Sequence, residues 1–289
     1  MKIRHIAKIC GDQDGAIFSD LLFRFNSRGH CGVYDLTKVD KSAEKPKELT
    51  AIASFYLDRA EEIVPHSNAV NFGCEYYSPD DEFPLLYSNI YNNYAASENP
   101  LKGTSLVYRL ERDGETFKTT LLQMITIDFA EDEVWKSSGE RSDIRPYGNF
   151  VIDREQKLYY GYTMKDGDNL TRYFAFDMPK ITDGEIDEKY GIKKVVSKKE
   201  DIKEYFDTER HRFIQGGCFN DGKIYSVEGF TGDKVNFPAL RIIDVKKKKQ
   251  VEFLDFRTLG MEAEAEMIDF HDGALLYSDV CGNLYILEM

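Results

Sequence analysis

A strand pattern that recurs along the chain is the feature that most constrains its fold. Aromatic-rich runs follow loops at intervals of roughly 60 residues, and each precedes a further strand-like segment. The runs are Leu21–Asn26, Pro84–Asn89, Lys157–Tyr162, Lys223–Val227 and Ala274–Asp279. This regularity predicts an all-β architecture in which similar units are arranged around an axis.

The number of strands in each repeat indicates how the array closes. Alternating residues and turns such as Asn220-Asp221-Gly222 define four strand-like segments in each of the first four repeats. The fourth segment of the third repeat is assigned to Lys193–Ser197, and a short helical turn is expected at Lys198–Phe206. The fifth repeat has only three segments, whereas Lys2–Ile9 reads as an additional strand before the first repeat.

A terminal strand that completes the last repeat would remove two exposed sheet edges. The sequence therefore predicts a five-bladed β-propeller, with the N-terminal strand closing the last blade and residues 1–289 forming one domain. A pair of β-sandwiches or an open meander is the alternative, because alternating strands alone do not require a closed ring.

The composition limits the classes of partner. The formal net charge of -13 repels polyphosphate, so we expect no nucleic-acid binding. No apolar run approaches the roughly 20 residues of a membrane span. The N-terminal segment becomes polar at Gly11 and lacks the apolar core and cleavage site of a secretory signal. We therefore expect a cytoplasmic location without a membrane span. The five cysteines are odd in number and scattered, which predicts free thiols.

One segment of the second repeat resembles known propellers. Residues His66–Asn89 read HSNAVNFGCEYYSPDDEFPLLYSN. This pattern is similar to one in the propeller domains of teichoic-acid-biosynthesis-C-like and phage receptor-binding proteins. The resemblance covers one blade, and it implies association with glycans or cell surfaces. It brings no catalytic motif to this chain.

The first strand of each blade lines the channel of a propeller, so polar residues where these strands start are candidates for a site. They are Gln13, Asp14, His66, Asn68, Arg145, Tyr147, Gln215, Glu262 and Glu264. The long loops of the second and fourth repeats add the aromatic residues Tyr91 and Phe230. Because donors, acceptors and rings converge at one mouth, the sequence predicts binding of a carbohydrate or similar polar ligand there.

Three alternatives stay open. A glycoside hydrolase would use Asp14 as base or nucleophile and Glu264 as acid, although Arg145 and Tyr147 stand where the propeller glycosidases place an acid. A Ca²⁺ site is the second alternative, because Asp14, Asn68 and Glu262–Glu266 would supply several of the oxygen ligands that this ion requires. A docking platform without catalysis would favour a basic protein partner, because the chain is acidic. The sequence does not decide whether the protein is an enzyme.

Overall fold

The computed structural model describes residues 2–40, 45–90, 103–129, 149–165, 170–209 and 213–288, and these form five sheets. Blade 1 contains β2 (Gly15–Phe18), β3 (Leu21–Phe25), β4 (His30–Asp35) and β6 (Ala53–Tyr56). Blade 2 contains β7 (Val70–Phe72), β8 (Leu86–Asn89), β9 (Ser105–Asp113) and β10 (Thr116–Ile127). Blade 3 contains β11 (Phe150–Asp153), β12 (Leu158–Lys165), β13 (Leu170–Asp177) and β16 (Glu204–Glu209). Blade 4 contains β17 (Ile214–Asn220), β18 (Lys223–Glu228), β19 (Ala239–Asp244) and β20 (Lys249–Asp255).

Blade 5 joins the two ends of the sequence. It contains β21 (Ala265–His271), β22 (Ala274–Asp279), β23 (Asn283–Glu288) and, outside β23, the N-terminal strand β1 (Lys2–Lys8). The β1 strand runs antiparallel to β23, with Lys2 opposite Glu288. The predicted five-bladed propeller with its last blade closed by the N-terminal strand is confirmed.

Short elements extend the outer edges of two blades. Strand β5 (Lys47–Glu48) pairs with β1 in parallel, and β15 (Lys193–Ser197) pairs in parallel with β10 and carries β14 (Glu185–Ile186). In the part of the chain that the structure describes, the helices are all short: α1 (Ala60–Ile63) and the 3₁₀ turns Leu36–Lys38, Lys199–Asp201 and Phe256–Leu259. No helix among the described residues is long and apolar enough to span a membrane.

The outer part of blade 3 differs from the sequence prediction. Lys193–Ser197 was expected as its fourth strand but belongs to the sheet of blade 2. The fourth strand is Glu204–Glu209, which takes up the end of the segment expected to be helical. Its side chains alternate between exposed and buried, with Phe206 and Thr208 facing inward. Asp207 also accepts two hydrogen bonds of 2.7 Å from Arg172 of β13, which fixes this strand in place.

The hydrophobic core lies between the blades rather than within one layer. Five buried clusters occur among the described residues, and each fills the space between two neighbouring blades. The cluster between blades 5 and 1 joins Met267 and Leu284 to Leu22 and Tyr34. A β-sandwich or an open meander has no such contact between its first and last units, so both alternatives are wrong.

The second strand of each blade shows why these strands are apolar runs. Consecutive side chains of a strand point to opposite faces, and both faces of a blade are covered by a neighbour. In blade 1, Leu22 packs toward blade 5 and Phe23 toward blade 2. In blade 3, Tyr159 packs toward blade 2 and Tyr160 toward blade 4. Each such side chain contributes about 1.5–3 kcal/mol by burial, which explains the recurring aromatic runs of the sequence.

Candidate functional site

The candidate site is the end of the central channel at which the inner strands β2, β7, β11, β17 and β21 begin, called here the channel mouth. Of the predicted residues, Gln13, His66, Gln215 and Glu264 lie there partly exposed, and Glu262 is exposed. Asp14 and Asn68 lie beneath them and are buried. Tyr91, Arg145 and Tyr147 fall outside the described residues.

Blades 4 and 5 meet at the mouth through Gln215 and Glu264. The Gln215 amide donates a hydrogen bond from Nε2 to Oε1 of Glu264. The backbone N–H of Glu264 donates to Oγ1 of Thr231 at 2.8 Å, which attaches the long loop of blade 4 to the mouth. In that loop the ring of Phe230 lies 4.8 Å from the ring of Phe213. This loop therefore attaches Phe230, which packs against Phe213, to the part of the rim that carries Glu264 and Gln215.

Three ionisable side chains occupy the layer below. Arg24 is fully buried and donates from Nη2 to the backbone oxygens of Asp12 at 2.6 Å and Asp279 at 3.4 Å. Asp14 Oδ2 accepts a hydrogen bond of 2.9 Å from the Val70 backbone N–H. Glu266 is 2% exposed, and its charge interacts with that of Arg24. These side chains link blades 1, 2 and 5 around the channel.

Burial controls the protonation of these carboxyl groups. It raises the pKa of Asp14 and of Glu266 well above their usual values, and Arg24 offsets part of each rise. Burial also raises the pKa of Glu264, although the hydrogen bond from Gln215 lowers it again in part. The pKa of Asp12 is raised by the same cause. Burial thus shifts the pKa of each of these carboxyl groups upward, most strongly for Asp14 and Glu266 in the buried layer.

Several polar atoms beneath the mouth are buried without a hydrogen-bond partner among the described residues. They are Nε and Nη1 of Arg24, Oδ1 of Asp14, Oε2 of Glu266 and the Tyr162 hydroxyl. Gly216 borders this region, because a Cβ there would lie 2.9 Å from Asp14 Oδ1 and 2.4 Å from the Glu266 carbonyl oxygen. Buried polar atoms are nearly always paired, so a group with several donors and acceptors fits this region.

Carboxamides continue the polar ring through blades 2, 3 and 4. Asn89 Nδ2 donates to Oδ1 of Asn68 at 2.7 Å and to Oδ1 of Asn149 at 2.6 Å. Asn149 in turn donates to the Ile214 carbonyl oxygen at 3.3 Å. With the contacts of Asp14, Arg24 and Gln215, these bonds connect every pair of neighbouring blades at the mouth.

Sequence reasoning missed Arg24, Asn89 and Asn149. The first two lie on second strands, whereas the sequence analysis sought site residues only at the start of the first strands and in loops. A signal was present, because Arg24 interrupts the apolar run Leu21–Phe25 and Asn89 ends another. A polar residue inside a strand buried on both faces needs a partner, which here lies on a neighbouring blade.

The predicted calcium site stays a prediction. Among the described residues, the only group of three histidine, cysteine or acidic side chains with ligand atoms within 4.8 Å of one another is Asp20, His271 and Asp272. This group lies at the end of the channel opposite the mouth, where inner strands β2 and β21 finish. The five cysteines are free thiols, as predicted.

The comparisons with known proteins add little to this geometry. No family model matches the chain, and no curated protein matches it. Among solved structures, glutaminyl cyclase from Myxococcus xanthus matches all of this chain and 94% of its own, with 11% sequence identity and a TM-score of 0.49. At this level of similarity the match carries no argument about function.

Proposed function

We propose that the channel mouth binds a carbohydrate or a similar small polyhydroxylated ligand. The observation that carries the proposal is the set of buried, unpartnered donors and acceptors contributed by Arg24, Asp14, Glu266 and Tyr162 beneath the partly exposed residues of the mouth. A hydroxyl group both donates and accepts, so a ligand with several hydroxyl groups satisfies such a mixed set.

The upper rim suits the other surface of a sugar. The rings of Phe213 and Phe230 contact each other, and Thr231, the residue after Phe230, accepts the hydrogen bond from the backbone N–H of Glu264. A sugar ring has an apolar face and a hydroxyl edge, and this pairing of rings with an amide and a carboxyl supplies both kinds of contact. Gln13 of blade 1 and His66 of blade 2 are partly exposed where their inner strands begin, and we expect them to contact the same ligand.

Binding fits the mouth better than glycoside hydrolysis. Hydrolysis requires one protonated and one ionised carboxyl group across the scissile bond. Burial raises the pKa of both Asp14 and Glu264, so neither carboxyl group has surroundings that favour its ionised form, as a base or nucleophile would need. Asp14 also uses one oxygen to hold the Val70 backbone, which suits a structural role more than a nucleophile.

Calorimetric titration with monosaccharides and short oligosaccharides tests the proposal. Glu264→Gln removes the ionisable group at the rim, and we expect about tenfold weaker binding, since a hydrogen bond to a charged or strongly polar partner contributes on the order of 1.5–3 kcal/mol. Glu185→Gln, on an exposed outer strand, is the matched control and should bind as the wild type does. Absence of binding to every sugar, or equal affinity of the two variants, would refute the proposal.

A second measurement separates binding from catalysis. We expect no release of nitrophenol from nitrophenyl glycosides by the wild type. Release that disappears in Glu264→Gln would replace the binding proposal with glycoside hydrolysis.

A further inference from the structure

The closure of blade 5 brings together two cysteines that are far apart in the sequence. Strand β1 pairs antiparallel with β23, and the pairing continues beyond the ends of these two strands. There the Ile9 backbone N–H donates to the Gly282 carbonyl oxygen at 2.8 Å. The next residues outward in this register are Cys10 and Cys281. They therefore lie opposite each other beside the pair of strands that closes the ring.

The backbones of the two segments are in contact at this point. A Cβ on Gly282 would lie 2.8 Å from the carbonyl carbon of Cys10, and a Cβ on Gly11 would lie 3.1 Å from the carbonyl carbon of Cys281. Directly opposed residues of an antiparallel pair have Cα atoms about 4.5–5.5 Å apart, which is within the range of about 4.4–6.8 Å for a disulfide. The register and the glycine contacts thus bring the two cysteines within reach of a disulfide bond.

Further contacts hold the two segments in position. Arg24 donates from Nη2 to the carbonyl oxygens of Asp12 at 2.6 Å and of Asp279 at 3.4 Å, and each of these residues is two positions from one of the cysteines. The Cys10 backbone N–H also donates to the Tyr34 hydroxyl at 3.2 Å. The folded ring therefore fixes the approach of the two segments, because these bonds connect blade 1 to both of them.

Both opposed cysteines are accessible from solution. Cys10 and Cys281 are exposed, whereas Cys31 and Cys218 are buried. Cys74 is partly exposed, but it follows the inner strand of blade 2, which is not a neighbour of blade 5. A soluble oxidant therefore reaches the opposed pair more readily than it reaches the two buried thiols.

We propose that Cys10 and Cys281 form a reversible disulfide that covalently closes the propeller when a small-molecule disulfide acts as the oxidant. One cysteine thiolate attacks a sulfur of the oxidant, which forms a mixed disulfide and releases one thiolate. The other cysteine thiolate attacks the protein sulfur of this mixed disulfide and displaces the second thiolate of the oxidant. Two protein thiols are thus oxidised, and the small disulfide is reduced to two thiols that take up the two protons.

The bond acts on the strand that completes blade 5. It joins the end of β1 to the turn before β23, so the N-terminal strand stays attached to the ring. The loop that it closes contains nearly the whole chain, and the entropy that a disulfide removes from the unfolded chain increases with loop length. The proposal does not depend on the ligand proposed for the mouth.

Oxidation of the intact protein with oxidised glutathione tests this site. We expect the mass to fall by that of the two thiol hydrogens, and digestion to release peptides linked through Cys10 and Cys281. The oxidised chain should migrate faster than the reduced chain on a non-reducing denaturing gel, because the bond keeps it in a closed loop, and dithiothreitol should reverse the change. Cys10→Ser and Cys281→Ser should each abolish the linked product, whereas Cys74→Ser should form it as the wild type does.

Two further measurements connect the bond to the folded ring. In protein unfolded with urea the bond should form at least about tenfold more slowly, because the two cysteines are then separated by most of the chain. The Tm of the oxidised wild type should exceed that of the reduced protein by about 5 °C or more. Thermal unfolding of the reduced variants shows that each is folded.

Several results would overturn the proposal. They are glutathione attached to single cysteines without a linked pair, a linked pair that includes Cys74, and a bond between two chains instead of within one. Equal rates of bond formation in native and unfolded protein, or a lower Tm after oxidation, would contradict the approach of the two segments in the folded ring.

Discussion

Two adjacent glycines on the inner strand of blade 4 provide a sharp test of how closely the blades approach the channel axis. A Cβ on Gly216 would lie 2.4 Å from the Glu266 carbonyl oxygen and 2.9 Å from Asp14 Oδ1. A Cβ on Gly217 would meet Val151 Cγ1 at 3.1 Å and the Tyr225 carbonyl oxygen at 3.2 Å. The first substitution pushes against the backbone of another blade, whereas the second needs only a small adjustment.

The expected magnitudes follow from these distances. Overpacking of a buried site costs about 1–3 kcal/mol, so Gly216→Ala should lower the free energy of unfolding by that amount. Replacing glycine with alanine also restricts the unfolded chain and stabilises by about 0.4–1 kcal/mol. In Gly217→Ala this gain offsets the milder contact, and we expect a net change of less than about 1 kcal/mol.

Urea unfolding followed by circular dichroism measures the free energy of unfolding of both variants. The dependence of this free energy on urea concentration is compared as well, because equal slopes indicate similar unfolded states. Each glycine is the control for the other, because they are neighbours on one strand and both are buried. If Gly217→Ala were the more damaging change, or if Gly216→Ala matched the wild type, the close approach of blades 4 and 5 described above would be wrong.

Three other predictions concern buried polar groups. Asn89→Ala leaves its partners unpaired and should cost about 2–4 kcal/mol in urea unfolding; a loss below about 1 kcal/mol would contradict the carboxamide network. Glu228→Gln disrupts a buried ion pair with Arg241 and should cost about 3–5 kcal/mol, whereas Glu82→Gln, in an exposed pair, should cost at most about 1 kcal/mol; similar losses would argue against the burial of the first pair. The pKa of Asp14 is raised on folding, so its stabilising contribution is full below its usual value of 3.8 and is lost as the pH rises through the raised pKa. Unfolding free energies measured from pH 4 to about 8 should therefore shift in favour of Asp14→Asn relative to the wild type, and a constant difference would refute the raised pKa.

The sequence predicted the ring because the blades share one repeating physical requirement. Each second strand is buried on both faces, so its apolar run is visible without knowledge of its neighbours, as at Leu21–Phe25. The edge strands are harder to assign. Lys193–Ser197 is a strand as predicted, but its assignment to blade 2 rather than blade 3 depends on parallel pairing with β10, which the local sequence does not indicate.

The candidate site was predicted only in part for a similar reason. Residues at the start of the inner strands, such as Gln215 and Glu264, follow from the repeat, and the structure brings these two into contact. The partnership of Arg24 with groups on blade 5 depends on closure of the ring between residues far apart in sequence. Tertiary contacts of this kind carry no signature in spacing, so Arg24 reads in the sequence only as an anomaly within an apolar strand.

Blade 5 combines strand β1 with three strands from the other end of the ring, and this arrangement delays its completion during folding. Strand β1 precedes every other strand of the described ring, yet the strand that pairs antiparallel with it, β23, follows all the others. Until β23 leaves the ribosome, β1 lacks its antiparallel partner and the ring cannot close, although β5 and the residues of blade 1 that cover Ile6 and Ala7 are already synthesised. Long-range pairing of this kind slows folding and prolongs the exposure of an unpaired strand. The pairing that closes the propeller thus leaves one edge of β1 open in the nascent chain until the last strand of the ring appears, and such an open edge favours aggregation.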